Sequence, residues 1–172
     1  LASNTVHTVL VTGANGLVGQ KVVRLLLNRP AVQVVATGRG LSRYSDGAYT
    51  YEPLELTDGP ATAATLRALR PTAVVHCAAL SQADACEQQP AASEAINLRA
   101  TAHLGALCAE VGAHLVFLST DFVFDGAGGP YAEAAAPAPI NVYGRHKWEA
   151  EQALAATPGL SYAVLRTCLV LG

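Results

Sequence analysis

The stretch Thr12-Gly13-Ala14-Asn15-Gly16-Leu17-Val18-Gly19 decides how this chain folds. It follows a short apolar run, residues 7–12, that reads as a buried strand, and it leads into residues 16–28, where apolar residues recur with helical spacing. A tight strand-to-helix turn, the close approach of a diphosphate to the backbone, and helix-on-sheet packing each need a residue without a Cβ atom. The three glycines therefore predict a dinucleotide-binding loop, with the diphosphate on the helix N-terminus. The alternative is a glycine-rich turn with a purely structural role.

Strand-like and helix-like segments alternate along the rest of the chain. We predict strands at residues 7–12, 32–37, 49–56, 73–77, 114–119 and 161–166, and helices at 16–28, 60–69, 90–111 and 142–156. This alternation predicts an α/β Rossmann fold, a doubly wound parallel sheet with the strand order 3-2-1-4-5-6. Residues 132–139 are low in complexity and resemble a linker, but the segments on both sides read as parts of one sheet.

Composition limits the classes of protein that fit. The net charge is −2 and only 14% of the residues are charged, so there is no basic stripe for a nucleic acid to follow. No apolar run reaches the ~20 residues needed to cross a bilayer, and the first residues show no secretory leader. The chain has no methionine, so we expect its start to have been trimmed or left out.

The cysteines indicate neither disulfides nor a metal site. Cys77, Cys86, Cys108 and Cys168 form no Cys-x-x-Cys pair, and three of them lie in apolar runs. We therefore predict buried, reduced thiols in a cytoplasmic protein. His76 stands beside Cys77, but no second ligand pair has zinc-like spacing, so no metal is expected.

The end of the second predicted strand distinguishes NAD from NADP. An acidic residue there would hold the ribose hydroxyls of NAD, but this chain has Gly38-Arg39-Gly40, with Arg43 close behind. A guanidinium can pair with a 2′-phosphate through two hydrogen bonds, so we favour NADP(H) over NAD(H), with Arg39 as a contact. The alternative is a solvated surface arginine.

Tyr143 and Lys147 lie four residues apart on a predicted helix and therefore share a face. A nearby ammonium and an oxidised nicotinamide ring would favour the phenolate and move the pKa of Tyr143 toward the operating pH. Such a pair is often only an exposed helix face, but here Ser119-Thr120-Asp121 ends the fifth strand, where open α/β sheets bind ligands. A hydroxyl there can hydrogen-bond a substrate carbonyl beside the tyrosine. We therefore interpret residues 1–172 as one NAD(P)-binding Rossmann domain with a catalytic helix.

With these motifs in place, the chain resembles the extended short-chain dehydrogenases/reductases, and among them the dTDP-4-dehydrorhamnose reductase family. The likeness covers essentially the whole chain. It is carried by residues 75–79, 84–87, 96–97, 118–126, 130–131, 133, 137–144, 147, 151 and 165–167.

The resemblance implies a role for each matching position. Thr120, with Ser119 nearby, would orient a sugar carbonyl, Tyr143 would donate the proton, and Lys147 would bind the nicotinamide ribose and tune Tyr143. Asn97 would support a proton relay or, equally, cap or pack a helix. The implied contacts to the diphosphate are Gly13, Asn15, Gly16, Leu17, Val18 and Gly19. Glu55 and Leu56 would contact the adenine, and Ala78 and Ala79 would line the nicotinamide side.

Three departures from the family pattern stand out. Phe122 replaces the tyrosine that many members carry, which removes one hydroxyl from the site. Glu55 stands where aspartate is usual, which puts the adenine contact in doubt. The chain ends at Gly172, whereas family members continue with the residues that form most of the sugar-nucleotide pocket, so we expect the C-terminal substrate-binding part to be missing.

The resemblance implies NADPH-dependent reduction of a 4-keto-deoxysugar nucleotide, as in dTDP-rhamnose biosynthesis. From charge and hydropathy we expect no nucleic-acid or membrane partner. Two alternatives stay open. One is a non-catalytic subunit resembling the regulatory subunit of methionine adenosyltransferase, which has similar Val-Phe-Asp-Gly and Pro-x-Pro-x-Asn stretches and works by binding a partner. The other is a different nucleotide-sugar reductase or epimerase. Exposed apolar surface on such a domain would be consistent with a homodimer.

Overall fold

The computed structural model describes residues 6–43 and 49–170, so the prediction about the first residues lies outside the described range. The chain folds around a six-stranded parallel sheet in the order β3-β2-β1-β4-β5-β6, which confirms the predicted Rossmann topology. The strands are β1 (His7–Thr12), β2 (Val32–Gly38), β3 (Thr50–Pro53), β4 (Ala73–His76), β5 (His114–Thr120) and β6 (Ser161–Thr167). The α-helices are α1 (Leu17–Leu27), α2 (Gly59–Leu69), α3 (Ala83–Gln88), α4 (Pro90–Ser93), α5 (Ala100–Val111) and α6 (Val142–Ala155).

Successive residues of the central strands point to two separate hydrophobic cores. Leu10 of β1 shares one core with Leu66 of α2 and Leu154 of α6, and all three side chains are fully buried. Val11 of the same strand belongs to the other core, which contains Val23 of α1. Because helices cover both faces of β1, this strand reads in the sequence as an unbroken apolar run.

The carboxyl ends of the parallel strands meet at one edge of the sheet. Thr12 of β1 pairs with Thr37 of β2 on one side and with His76 of β4 on the other. Thr120, the last residue of β5, pairs with Thr167 of β6. The loops that follow β1, β2, β4 and β5 therefore lie side by side on the edge where open α/β sheets bind ligands.

Helical structure between β4 and β5 differs from the prediction in two ways. The short helix α3 was not predicted, because Cys86 is its only buried residue and it therefore has no apolar stripe. The helix predicted over residues 90–111 exists, but a π-helical segment, Glu94–Arg99, joins α4 to α5. A π turn adds one residue to a helical turn without interrupting the helix. The spacing of the apolar residues therefore did not predict the π-helical segment.

The third strand was predicted too long. It covers Thr50–Pro53 rather than residues 49–56, because the chain turns after Pro53 and buries Leu54 and Leu56 in a small core with Ala100 of α5. These two leucines made the strand pattern look longer than the strand is.

The prediction that all the cysteines are buried was wrong for Cys168, which is exposed just beyond the end of the edge strand β6. Cys86 and Cys108 are buried, and Cys77 is partly buried. An edge strand has a neighbouring strand on one side only, so the apolar residues at its end can stay exposed, as Cys168 does. Among residues 6–43 and 49–170, no helix is both long and apolar enough to span a bilayer.

Candidate active site and cofactor groove

A groove of about 410 Å³ runs along the carboxyl edge of the sheet, over the ends of β1, β2 and β4. It brings together residues from four separate segments to which the sequence analysis assigned cofactor contacts: Gly13, Asn15, Gly16, Arg39, Glu55, Leu56, Ala78 and Ala79. Five other predicted contacts do not line the groove: Leu17, Val18 and Gly19 in the first turn of α1, and Tyr143 and Lys147 of α6.

The glycines of the first loop are required by the backbone around them. Gly13 has a φ of +67°, and a Cβ atom on it would stand 2.5 Å from the backbone nitrogen of Ala78. A Cβ atom on Gly19 would collide with the carbonyl oxygen of Gly13, so glycine lets α1 pack directly on the loop. Gly16 caps α1 without a side-chain hydrogen bond. This cradle, open at a helix N-terminus and free of side chains, fits the diphosphate of a dinucleotide.

The groove also contains residues that sequence reasoning did not assign: Thr37, Gly38, Leu54, Cys77, Leu80, Gln89, Ala92 and Ile96. The first five adjoin predicted positions along the chain, so extending each motif by one or two residues would have found them. Gln89, Ala92 and Ile96 lie on or beside the helical segment that follows β4. Gln89 and Ala92 carry no motif, and Ile96 belongs to the family resemblance but was given no role. Only the fold brings them to the groove. Arg43, noted in the sequence because it follows Arg39, lines the groove as well.

Thr120 and Tyr143 meet at the end of β5. Tyr143, in the first turn of α6, is 9% exposed, and the Thr120 hydroxyl lies close enough to influence the pKa of its phenol. The ring of Phe122 packs edge-on against Tyr143, with 6.0 Å between the centroids. Burial raises the pKa of Tyr143, and the nearby Thr120 side chain only partly offsets this. A phenol that stays protonated at neutral pH is suited to donating a proton.

Lys147 lies one turn further along α6 and is 2% exposed. Its Nζ atom donates a hydrogen bond to the carbonyl oxygen of Leu118 at 2.6 Å and stands 3.9 Å from the centre of the Phe117 ring. Burial lowers the pKa of Lys147 to about 7, and the Glu151 carboxylate opposes this. The sequence led us to expect that an ammonium and an oxidised nicotinamide ring together lower the pKa of Tyr143. The protein groups alone shift it in the opposite direction, because desolvation dominates at the tyrosine, and the effect of the nicotinamide ring stays a prediction.

Two side chains and one close contact fix the start of α6. Asn141 caps the helix by accepting a hydrogen bond from the Gly144 nitrogen at 2.7 Å. A Glu87 carboxylate oxygen accepts another from the Val142 nitrogen, also at 2.7 Å. Gly144 packs against the backbone of Phe122, where no side chain would fit. The helix start is therefore tied both to α3 and to the segment after β5.

Asn97 lies in the π-helical segment, and its amide holds the loop after β4. The side-chain oxygen accepts a hydrogen bond from the Leu80 nitrogen at 2.9 Å, and Nδ2 donates to the Leu80 carbonyl oxygen at 3.0 Å. Nδ2 also lies 3.1 Å from Ser93 Oγ, which in turn hydrogen-bonds His146 of α6. These contacts support the packing role of Asn97 over the proton relay.

A buried ion pair ties the end of β5 to β6. The Ser119 hydroxyl donates a hydrogen bond to Glu151 at 2.5 Å, and Arg166 of β6 makes a two-pronged contact with the same carboxylate. The Arg166 guanidinium also packs over the rings of Phe124 and Trp148. This network holds Ser119, the neighbour of Thr120, in place.

Cys77 connects the groove to Lys147. It lines the groove, and it is close enough to Lys147 for each group to shift the pKa of the other. In the part of the chain that the structure describes, no three His, Cys, Asp or Glu side chains are grouped so that they could hold a metal ion.

Comparison with known proteins gives one family and two kinds of curated relative. A family model described as RmlD substrate binding domain matches residues 7–172. The dTDP-4-dehydrorhamnose reductase of Streptomyces griseus is 40% identical over 95% of this chain and 50% of its own length. Methionine adenosyltransferase 2 subunit beta of Pongo abelii is 37% identical over 95% of this chain and 47% of its own length. The chain thus spans about half the length of the curated relatives it matches.

Two solved structures show the same fold. A dTDP-4-dehydrorhamnose reductase from Bacillus anthracis, in complex with NADP, matches with a TM-score of 0.76 and 28% identity, over 94% of this chain and 53% of that one. A UDP-glucose 4-epimerase from Thermus thermophilus, in complex with NAD, matches with a TM-score of 0.84 and 27% identity, over 92% of this chain and 54% of that one.

Proposed function

The chain belongs to the RmlD substrate binding domain family, and from this membership we propose that it provides the cofactor groove and the proton donor of a nicotinamide-dependent reductase for a 4-keto-deoxysugar nucleotide. The observation that carries the proposal is the burial of Thr120, Tyr143 and Lys147 at the carboxyl edge of the sheet, which also holds a groove with a glycine cradle. A regulatory scaffold would not need a desolvated phenol at this edge of the sheet.

The residues of the groove would hold NADP(H). Gly13 and Gly16 would leave room for the diphosphate at the N-terminus of α1, and Arg39 would pair with the 2′-phosphate. Leu56 and Ala78 would line the adenine and nicotinamide sides. When bound, the cofactor supplies the hydride for the reduction.

Tyr143 would donate its phenolic proton to the oxygen of the substrate carbonyl as that carbonyl is reduced to an alcohol. Its raised pKa keeps the proton in place until the substrate takes it. Thr120 would hydrogen-bond the same carbonyl oxygen and orient it toward Tyr143. Lys147, held against Leu118, would bind the nicotinamide ribose, and burial of its amine limits the positive charge in the site.

The family relatives suggest the substrate. The Streptomyces griseus relative is named a dTDP-4-dehydrorhamnose reductase, so we take dTDP-4-dehydrorhamnose as the substrate to test first. UDP-sugars are the second choice, because the Thermus thermophilus neighbour is a UDP-glucose 4-epimerase.

A second candidate function is that of a non-catalytic partner of a methionine adenosyltransferase. It is supported by the 37% identity to the Pongo abelii subunit, which is comparable to that of the reductases. The two candidates differ in their need for Tyr143, because a binding subunit does not use a proton donor.

The test is NADPH oxidation by the full-length protein with dTDP-4-dehydrorhamnose, for the wild type and Tyr143→Phe. The control is Tyr162→Phe on the edge strand β6, which removes a hydroxyl far along the chain from the site. We expect turnover by the wild type and the control, and a loss of about 10²- to 10⁴-fold in Tyr143→Phe.

Turnover that survives Tyr143→Phe would contradict the role of the phenol. Binding of NADPH without turnover of any dTDP- or UDP-4-keto sugar would overturn the reductase proposal. Tight association with a methionine adenosyltransferase catalytic subunit, unchanged in Tyr143→Phe, would then favour the second candidate.

A further inference from the structure

The side chain of Asn15 is committed to the segment that follows β2. Its Nδ2 atom donates hydrogen bonds to the carbonyl oxygens of Arg39 and Leu41, each at 3.0 Å. Its Oδ1 atom accepts one from the backbone nitrogen of Arg43 at 2.9 Å. The amide that the sequence placed beside the diphosphate therefore also shapes the neighbouring loop.

Tyr51 of β3 completes this arrangement from the other side. Its hydroxyl oxygen lies 2.8 Å from Asn15 Nδ2, whose two hydrogens are shared among this oxygen and the carbonyl oxygens of Arg39 and Leu41. The hydroxyl donates a hydrogen bond to the carbonyl oxygen of Gly40 at 3.0 Å. Burial raises the pKa of Tyr51, so the hydroxyl keeps the proton that it donates. Together Asn15 and Tyr51, which we call the clamp, contact the backbone at residues 39, 40, 41 and 43.

The clamp fixes the two arginines that line one side of the groove. Arg39 and Arg43 both line it, and both are bonded to Asn15 through their backbones. Gly40 has a φ of +70°, which lets the chain turn between them. A Cβ atom on Gly38 would stand 3.2 Å from the Tyr51 hydroxyl, so the turn lies directly on the clamp.

Two guanidinium groups on one side of a nucleotide groove present a site for a phosphate group. Among the described residues that line the groove, the charged ones are Arg39, Arg43 and Glu55, so positive charge prevails among them. Because Asn15 already holds the backbone of both arginines, less conformational entropy is lost when a phosphate binds to them.

We propose that the Asn15–Tyr51 clamp is the positioning element that makes this groove select nucleotides with a 2′-phosphate. The inference rests on the proposed NADP(H) site and deepens it: the arginines contact the phosphate, and the clamp decides whether they are in place. Tyr51 is then a specificity-determining residue although it does not itself line the groove.

A clamp with a merely structural role would affect all nucleotides alike. The discriminating quantity is therefore the ratio of two affinities, for 2′,5′-ADP and for 5′-AMP, which differ only in the 2′-phosphate. Neither probe carries a nicotinamide, so the result does not depend on catalysis.

The experiment measures both affinities by calorimetry on the full-length wild type, Tyr51→Phe, Arg39→Ala and the control Tyr162→Phe. We expect Tyr51→Phe to weaken 2′,5′-ADP binding about tenfold, because the contacts of the Tyr51 hydroxyl with Asn15 and with the Gly40 carbonyl oxygen are lost, and to change 5′-AMP binding less than about twofold. Arg39→Ala should weaken 2′,5′-ADP binding at least as much, and Tyr162→Phe should match the wild type. Thermal unfolding of each variant establishes that the fold is kept.

Equal weakening of both probes in Tyr51→Phe would overturn the clamp as a specificity device and leave the proposed reductase intact. A wild type that binds both probes equally would also overturn it, and would point to NAD(H) as the cofactor. A wild type that binds neither probe would overturn the cofactor groove itself, and with it the proposed function.

Discussion

The backbone of Gly144 packs so closely on the carbonyl group of Phe122 that a Cβ atom at position 144 would overlap the Phe122 oxygen. Gly144 follows Tyr143 in the first turn of α6, and Phe122 lies two residues beyond Thr120. Together with the hydrogen bonds from the start of α6 to Asn141 and Glu87, this contact therefore helps to set the distance between Tyr143 and Thr120.

Gly144→Ala should separate these two groups. The added methyl group must push α6 away from the Phe122 backbone, which we expect to cost about 2 kcal/mol of unfolding free energy. A displacement of about 1 Å at Tyr143 should lower kcat about 10²-fold with the fold retained. Urea unfolding and NADPH oxidation measure the two effects. Gly128→Ala is the matched control, because nothing lies within 4 Å of a Cβ atom there. Wild-type turnover by Gly144→Ala would contradict the idea that this contact positions Tyr143.

Lys147 should make stability depend on alkaline pH. Its pKa is about 7 in the fold and 10.5 in the unfolded chain, so between these values the unfolded chain binds a proton that the folded protein does not. The free energy of unfolding should therefore rise with pH in this window, by about 1.5 kcal/mol from about pH 7 to about pH 8.5. Urea unfolding at the two pH values should show this rise in the wild type and in Lys21→Met, whose lysine is exposed. Lys147→Met should lack it, and an equal rise in that variant would refute the assignment.

His76 should make the protein sensitive to mild acid. Both ring nitrogens are hydrogen-bonded, to the hydroxyls of Thr12 (2.6 Å) and Thr101 (3.0 Å), and burial lowers the pKa to about 3 from 6.5. As the pH falls below 6.5, His76 binds a proton in the unfolded chain but not in the folded protein. The free energy of unfolding therefore decreases.

Between about pH 7.5 and about pH 5, His76 should account for a loss of about 2 kcal/mol in unfolding free energy. His76→Gln removes the titrating group and should lose less stability over this range, whereas His7→Gln, at an exposed histidine, should behave like the wild type. The same acid sensitivity in His76→Gln would place its origin elsewhere.

The sequence predicted the elements that carry strong local signals. Glycines at 13, 16 and 19 follow an apolar strand and open a helix, and the structure has that turn with Gly13 at positive φ. The groups that hold those elements together gave no such signal. Asn15 looked like a diphosphate contact because of its place in the loop, but its partners lie 24 or more residues away in the chain.

The direction of the Tyr143 pKa shift could not be read from the sequence either. Spacing places Lys147 on the same helix face as Tyr143, but whether charge or burial dominates depends on how deeply both side chains are packed. Glu87, which helps to fix the start of α6, accepts a hydrogen bond from the Val142 nitrogen, 55 residues further along the chain. Its helix, α3, has no apolar stripe from which the sequence could predict it.

The ion pairs Arg166–Glu151 and Arg67–Glu110 have similar geometry, but they should contribute differently to the free energy of unfolding because they differ in burial. Glu151 is 6% exposed and is paired with Arg166, whereas Glu110 is paired with Arg67 on the surface. Glu151→Gln leaves the guanidinium without its counter-charge and should cost about 2 kcal/mol of unfolding free energy. Glu110→Gln should leave stability unchanged within error, because water screens that pair. Similar losses in both variants would mean that the network behind Ser119 is not specially stabilising.

Gly13 tests whether the first loop binds a diphosphate, and Gly112 is its matched control. Both glycines have positive φ, +67° and +75°, so alanine at either position carries the same kind of backbone strain, about 1 kcal/mol. They differ in what a methyl group would meet: nothing within 4 Å at Gly112, but the Ala78 backbone nitrogen at 2.5 Å at Gly13. Because Ala78 lines the groove, Gly13→Ala must either move that wall or distort the loop.

We therefore expect Gly112→Ala to lose a little stability and to bind NADPH like the wild type. Gly13→Ala should lose more stability and weaken NADPH binding by at least about tenfold, because the diphosphate needs the same space. NADPH fluorescence titration, with urea unfolding to check the fold, separates the two effects. If Gly13→Ala stays folded and binds NADPH as tightly as Gly112→Ala does, the glycine loop is a structural turn and the diphosphate must lie elsewhere in the groove.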